Sequence, residues 1–255
     1  MKSNTDQTDS ELINKINNNE QIREEIILNE ASGIDTENSS FNNFSNELKL
    51  LYRLFGKSII TEKCNRLKII YETTEKLWEE QLKNLPKDGI KYLFITEAPP
   101  YSPDGDVTYI YNPNSEPRTL LKALSKAFFN EPLYKIIGTP ETLKRLASEG
   151  LIIVDSLPFP MDYSSKRDNR LYEEIIGQTV NKYMLPKLNR VDLNWSKDLR
   201  FGFGFKRNAI AVIGKLNNEL KINKFGNSIK ITSEMITAND AGYPDAQNIK
   251  KVFGL

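Results

Sequence analysis

Residues 90–101 read Ile90-Lys91-Tyr92-Leu93-Phe94-Ile95-Thr96-Glu97-Ala98-Pro99-Pro100-Tyr101, and this stretch decides the fold. A run rich in β-branched and aromatic residues stops abruptly at a carboxylate, two prolines and a tyrosine. Such a run is too short for a helix of ordinary length and reads as a buried strand over 90–96. Three more runs have the same character: 151–154 (LIIV), 209–213 (AIAVI) and 229–232 (IKIT). Helical patterns fill the gaps, at 118–129, 140–149 and 171–185. Strands alternating with helices imply parallel βαβ units. The expected architecture is a three-layer α/β/α sandwich around a central, mainly parallel four-stranded sheet.

Upstream of the first strand, Leu67, Ile70, Tyr71, Trp78 and Leu82 recur at helical spacing, as do Leu48, Leu51, Leu54 and Phe55. Two helices are expected there, closed by the breaker Leu85-Pro86-Lys87-Asp88-Gly89. Residues 1–45 differ in kind. They hold three basic and nine acidic side chains, so the leader is acidic while the other 210 residues carry 32 basic against 25 acidic groups. The expected division is an acidic, Asn-rich leader over 1–45, partly disordered or helical, and one α/β domain over 46–255. The leader is expected to contact the basic body or a protein partner.

Composition excludes several chemistries. The chain has 255 residues, one cysteine (Cys64) and no histidine. An internal disulfide, a cysteine-ligated zinc site and an iron–sulfur cluster are therefore excluded, as is any imidazole acid, base or metal ligand. Catalysis by this chain would fall to carboxylates, Lys, Arg, Tyr and backbone dipoles. No apolar run approaches the roughly 18 residues that would span a bilayer. The expectation is a cytoplasmic protein with no cofactor, no metal and no membrane partner.

The residues after each strand carry the functional signal, because ligands of open parallel sheets bind beyond the carboxyl ends of the strands. The first strand leads into Glu97-Ala98-Pro99-Pro100-Tyr101. The second leads into Asp155-Ser156-Leu157-Pro158-Phe159-Pro160, and Asn239-Asp240-Ala241-Gly242-Tyr243-Pro244-Asp245 follows the fourth. Each loop combines a carboxylate, a proline that stiffens it and an aromatic ring. Together they suit a pocket for a flat polar ring.

The order of these motifs resembles the uracil-DNA glycosylase superfamily, in a patchy match over about residues 90–250. The resemblance implies a DNA glycosylase-like enzyme that hydrolyses the N-glycosidic bond of a flipped-out damaged or modified pyrimidine, with DNA as partner. It places Glu97 in the catalytic position of the first loop and Ala98 where the best-known branch has an aspartate. Pro100 replaces the tyrosine that closes the C5 side of the base, and Tyr101 follows in the same base-binding loop. Thirteen residues beyond Ala98 comes Tyr111, the expected stacking ring, with Tyr109 its competitor. Asp155 takes the place of the asparagine that reads the base edge. An ionised carboxylate only accepts hydrogen bonds, which favours a cytosine-like amine over the carbonyls of uracil. Tyr243 is the catalytic candidate where the superfamily has a histidine. Arg118, Ser164, Lys166 and Arg167 are the phosphate candidates.

Each position also has a plainer reading: Glu97 or Asp155 as a turn residue, Tyr111 as a packed ring, Lys166 and Arg167 as solvated charge. The run Phe201-Gly202-Phe203-Gly204-Phe205-Lys206-Arg207 has the aromatic and basic mix of single-strand binders, although core or hairpin packing is the preferred reading. Two alternatives to the glycosylase stand beside it. One is a nucleic-acid-binding sensor that has lost turnover; the other is an enzyme of free nucleosides or nucleotides.

Overall fold

The computed structural model describes residues 57–100, 107–160, 169–222, 228–239 and 242–255. Helix α1 (Lys57–Leu82) precedes strand β1 (Ile90–Thr96), and Gly89 joins them at φ +112°, a conformation glycine adopts without penalty. Then follow α2 (Thr119–Phe129), the short α3 (Leu133–Ile136), α4 (Gly138–Ser148) and β2 (Leu151–Asp155). Helix α5 (Asn169–Thr179) continues through a π-helical turn at Val180–Met184 into α6 (Leu185–Leu188). Pro186 lacks an N–H and its ring crowds the carbonyl four residues back, which accounts for the widened turn. Strand β3 (Trp195–Phe203) leads directly into α7 (Lys206–Lys215). A ribbon of β4 (Glu219–Lys221) and β5 (Ser228–Lys230), a 3-10 turn at Ser233–Met235 and helix α8 (Ala246–Phe253) complete the described chain.

The protein is mixed α/β, with a parallel sheet of order β2-β1-β3. Strand β1 lies at its centre, with Thr96 level with Asp155 on one side and Ile95 level with Phe203 on the other. On one face, the C-terminal Phe253 of α8 packs against Tyr92, Phe94 and Phe128. Strand alternation turns Leu93, Ile95, Phe201 and Phe203 the other way. There α7 packs on β3 and on α5.

Two of the four expected strands need correction. Residues 209–213 are the middle of α7, not a strand. Ala209, Ala211 and Val212 are buried while Ile210 is 58% exposed, the signature of a helix with one face in the core. A five-residue apolar run cannot be assigned by periodicity alone, and two alanines favour the helix. Residues 229–232 do not join the central sheet, because β5 pairs antiparallel with β4 in a separate ribbon. The central sheet accordingly has three strands and not four; beyond β3 there is only an isolated parallel bridge from Phe203 to Ile236.

The strand that the sequence reading missed is β3 itself. Its end is the Phe201-Gly202-Phe203-Gly204 alternation, whose two phenylalanines are buried in the core and unavailable for stacking on bases. The glycines have a steric cause. A Cβ on Gly204 would lie 2.7 Å from Phe94, and one on Gly202 would lie 2.9 Å from Thr237 and 3.1 Å from Val252. The face that carries Phe253 is packed too closely for side chains there.

Strand β2 lies at the sheet edge, where unpaired backbone groups invite pairing with another chain. Side chains cover the middle of that edge. The Ile153 N–H donates to the Tyr111 hydroxyl at 2.7 Å, and the Trp78 indole N–H donates to the Ile153 carbonyl at 3.0 Å. Helix α1 is held to the body by this bond and by Gln81, whose amide donates to the Leu143 carbonyl at 2.8 Å. Leu67, Ile70 and Trp78 are buried, as their helical spacing predicts. The leader and the helix expected around Leu48–Phe55 fall outside the described residues.

Removing the Tyr111 hydroxyl leaves the buried Ile153 N–H without a partner. Tyr111→Phe is expected to lower unfolding free energy by about 1–3 kcal/mol, read from urea denaturation. Gly204→Ala is expected to cost a comparable amount, about 1–3 kcal/mol, through overpacking against Phe94.

Candidate functional site

A cavity of about 550 Å³ opens at the carboxyl ends of the strands. It is walled by Thr96, Glu97, Ala98 and Pro100 after β1, by Asp155 at the end of β2, and by Phe205 and Arg207 after β3. Residues of the segment leading into α2, among them Tyr109, Asn112 and Arg118, add to the wall, as do Thr139 and the turn at Gly242–Pro244. The three loops singled out in the sequence therefore meet around one space. Its size is in the range of small-molecule sites.

The two carboxylates are set by bonds that extend the β1–β2 seam past the strands. The Ser156 N–H donates to the Thr96 carbonyl at 3.0 Å, and the Leu157 N–H to the Glu97 carbonyl at 2.9 Å. The Ser156 hydroxyl also donates to the Glu97 carbonyl, at 3.1 Å. Glu97 is only 4% exposed, and its Oε1 accepts the Tyr172 hydroxyl at 2.5 Å. Tyr172, from α5, is itself buried, and the Arg207 guanidinium lies over its ring at 4.1 Å from the centroid. Beside it, the Asn208 amide donates to the Ser156 hydroxyl at 2.6 Å. Burial pushes the Tyr172 phenol up, and the neighbouring Glu97 charge adds to that.

Asp155 accepts a hydrogen bond from the Thr96 hydroxyl. Burial pushes its carboxyl from 3.8 up to about 6; the Thr96 bond and the Lys187 charge oppose this, while Glu75 and Glu97 add to it. Tyr109 is buried in the cavity wall, and its phenol is pushed up by burial and by the Asp155 charge. Arg118, the residue preceding the first turn of α2, is exposed and lines the cavity. Tyr243 is 58% exposed and stands edge-on to Phe205, with centroids 6.4 Å apart. Its turn is fixed by Asn239, whose N–H donates to the Tyr243 carbonyl at 2.8 Å and whose side chain accepts the Tyr243 N–H at 3.2 Å. The carboxylate of Asp245 caps α8 by accepting the N–H groups of Gln247 and Asn248.

Glu97, Ala98, Pro100, Arg118, Asp155 and Tyr243 are thus brought to one cavity. No family model, curated protein or solved structure matches the chain. Tyr111 is placed elsewhere: it packs edge-on to Tyr109 at 5.6 Å and is the hydroxyl acceptor at the β2 edge, so Tyr109 supplies the ring in the wall. Tyr101, Ser164, Lys166 and Arg167 lie outside the described residues. Arg207, Phe205 and Tyr172 were not singled out as site residues. The signal for the first two was present in the Phe205-Lys206-Arg207 run, which lies just beyond the carboxyl end of β3. Among the described residues no three His, Cys, Asp or Glu side chains gather as a metal set, and no helix is long and apolar enough to cross a membrane.

The raised Asp155 carboxyl has a consequence for stability. In the folded chain it keeps its proton between pH 3.8 and about 6, where the unfolded chain has lost it. Stability therefore falls as pH rises through that window and levels off above it, by at most about 3 kcal/mol. Asp155→Asn is expected to flatten this slope and to raise stability at pH 8, measured by urea denaturation at pH 4, 6 and 8.

Proposed function

We propose that the protein is a DNA glycosylase-like N-glycosyl hydrolase, acting on a damaged or modified pyrimidine turned out of the strand into this cavity. The observation that supports the reading is the convergence of the Glu97, Asp155 and Tyr243 loops on one space. In the proposal the fold is a glycosylase-like α/β/α sandwich with a reduced sheet, and the superfamily relationship rests on the motifs. Asp155 and Tyr109 contact the base: the carboxyl accepts from an exocyclic amine when ionised and can also donate when protonated. A carboxylate has acceptor capacity for several hydrogen bonds, so Glu97 can hold a water while it keeps its bond to Tyr172. Its negative charge then stabilises the oxocarbenium-like sugar. Arg118 at the rim takes a backbone phosphate, and the exposed Tyr243 fills the place the base has left. Turning the base out costs about a few kcal/mol, least where the base is modified or mismatched.

A second reading is binding without turnover. Ala98 and the absence of histidine favour it, since both remove groups that the best-known branch of the superfamily uses.

The test is alkaline scission of oligonucleotides that carry uracil, hypoxanthine, cytosine or C5-modified cytosines after incubation with the protein. Scission at one modified base is expected, falling by a factor of about 100 or more in Glu97→Gln. Salt-sensitive binding with no scission at any base would support the sensor instead. Hydrolysis of free nucleosides would assign the cavity to small-molecule chemistry.

A further inference from the structure

The chain contains no histidine, yet a departing base carries away the electron pair of the broken bond and needs positive charge beside it. Among the described residues that line the cavity, the cations are Arg118 and Arg207. They differ in setting. Arg118 is exposed at the mouth. Arg207 is half-buried in the first turn of α7, with its guanidinium stacked over the Tyr172 ring at 4.1 Å. That ring is fixed in turn by its hydroxyl bond to Glu97.

We infer that Arg207 is the anion-stabilising residue of the site, holding the negative charge of the departing pyrimidine in the cavity. The inference rests on the glycosylase reading and assigns the electrophile that the reading lacks. Placement supports it. The carboxylates of Glu97 and Asp155 both oppose an anion in this cavity, so a cation held in the wall has more effect than one at the solvent boundary. Contact with the face of a buried ring restrains the guanidinium and reduces the entropy lost when a ligand binds. The N-terminal end of α7 adds partial positive charge of the same sign.

The bond from C1′ to the base nitrogen breaks, and its electron pair passes to the base. A water oxygen bonds to C1′ and gives its proton to Glu97. The base leaves as an anion beside Arg207 and then receives that proton, so the products are the free base and a hydroxyl at C1′. Arg207 supplies charge and N–H donors and takes no part in the proton transfer. Its role is electrostatic, and it is not a general acid.

The test uses 5-nitrouracil, an electron-poor pyrimidine that ionises near neutral pH and whose anion absorbs at longer wavelength. Spectroscopic titration with the full chain is expected to lower the probe's apparent pKa by about one unit, a tenfold preference for the anion. Arg207→Gln is expected to abolish the shift while neutral probe still binds. Arg207→Lys, which keeps the charge without the planar stack, is expected to retain part of it. Equal shifts in wild type and Arg207→Gln overturn the inference, as does a wild type that fails to bind the probe or binds it unshifted. Base release from oligonucleotides is read on the same proteins. A wild type that shifts the probe and releases no base contradicts the glycosylase reading and not the anion site. Base release at an unchanged rate in Arg207→Gln overturns the anion site and not the glycosylase.

Discussion

The parallel ladder between β1 and β2 does not end where the strands do. Past Thr96 and Asp155 it continues through the Ser156 and Leu157 N–H groups, which donate to the Thr96 and Glu97 carbonyls. The Ser156 hydroxyl donates to the same Glu97 carbonyl. This short seam fixes the backbone at both carboxylates. Everything placed around the cavity is placed relative to it: Tyr172 reaches Glu97 from α5, Thr96 reaches Asp155 across the seam, and Asn208 reaches Ser156 from α7. Loops bonded so closely to strand ends have little freedom to rearrange when a ligand enters. The two carboxylates are held in place before any ligand arrives.

That rigidity has an electrostatic cost. Asp155 sits where burial resists its ionisation, and the nearby Glu97 and Glu75 charges resist it further. Lys187, which pairs with Glu75 and lies 4.9 Å from the Trp78 ring centroid, offsets part of this from outside the cavity. A carboxyl kept at a disadvantage in the folded state lowers stability at neutral pH, where it is ionised. Perturbed groups of this kind cluster at functional sites, which makes Asp155 a functional candidate on physical grounds as well as by its position.

The central strand, the second strand and the helices between them were legible in the sequence because each has an unambiguous pattern. Residues 151–154 are apolar throughout and 90–96 are so apart from Lys91 and Thr96, the near-continuous run of strands buried on both faces. Residues 209–213 have the same look and are helical, since only the tertiary setting shows that Ile210 faces solvent. Strand β3 was hidden for the opposite reason. After the buried Trp195 its first half is mostly polar and exposed, and its second half alternates Phe with Gly because Phe94 and α8 leave no room for side chains. Displacing the third strand from 195–203 to 209–213 also displaced the site. With β3 ending at Phe203, the rule that ligands bind beyond strand ends points to Phe205 and Arg207. Tyr111 was misplaced by counting along the loop, which cannot register that its hydroxyl is needed at the exposed edge of β2.

We propose that the cavity between the three strand ends receives one pyrimidine extruded from DNA. The most direct measurement is a crystal structure of the protein with an oligonucleotide carrying a 2′-fluoro modified pyrimidine nucleotide, which resists hydrolysis of its glycosidic bond. That single base is expected inside the cavity, its polar edge on Asp155 and its C1′ facing Glu97. DNA bound elsewhere with the cavity empty, or with the base still stacked in the strand, would contradict it.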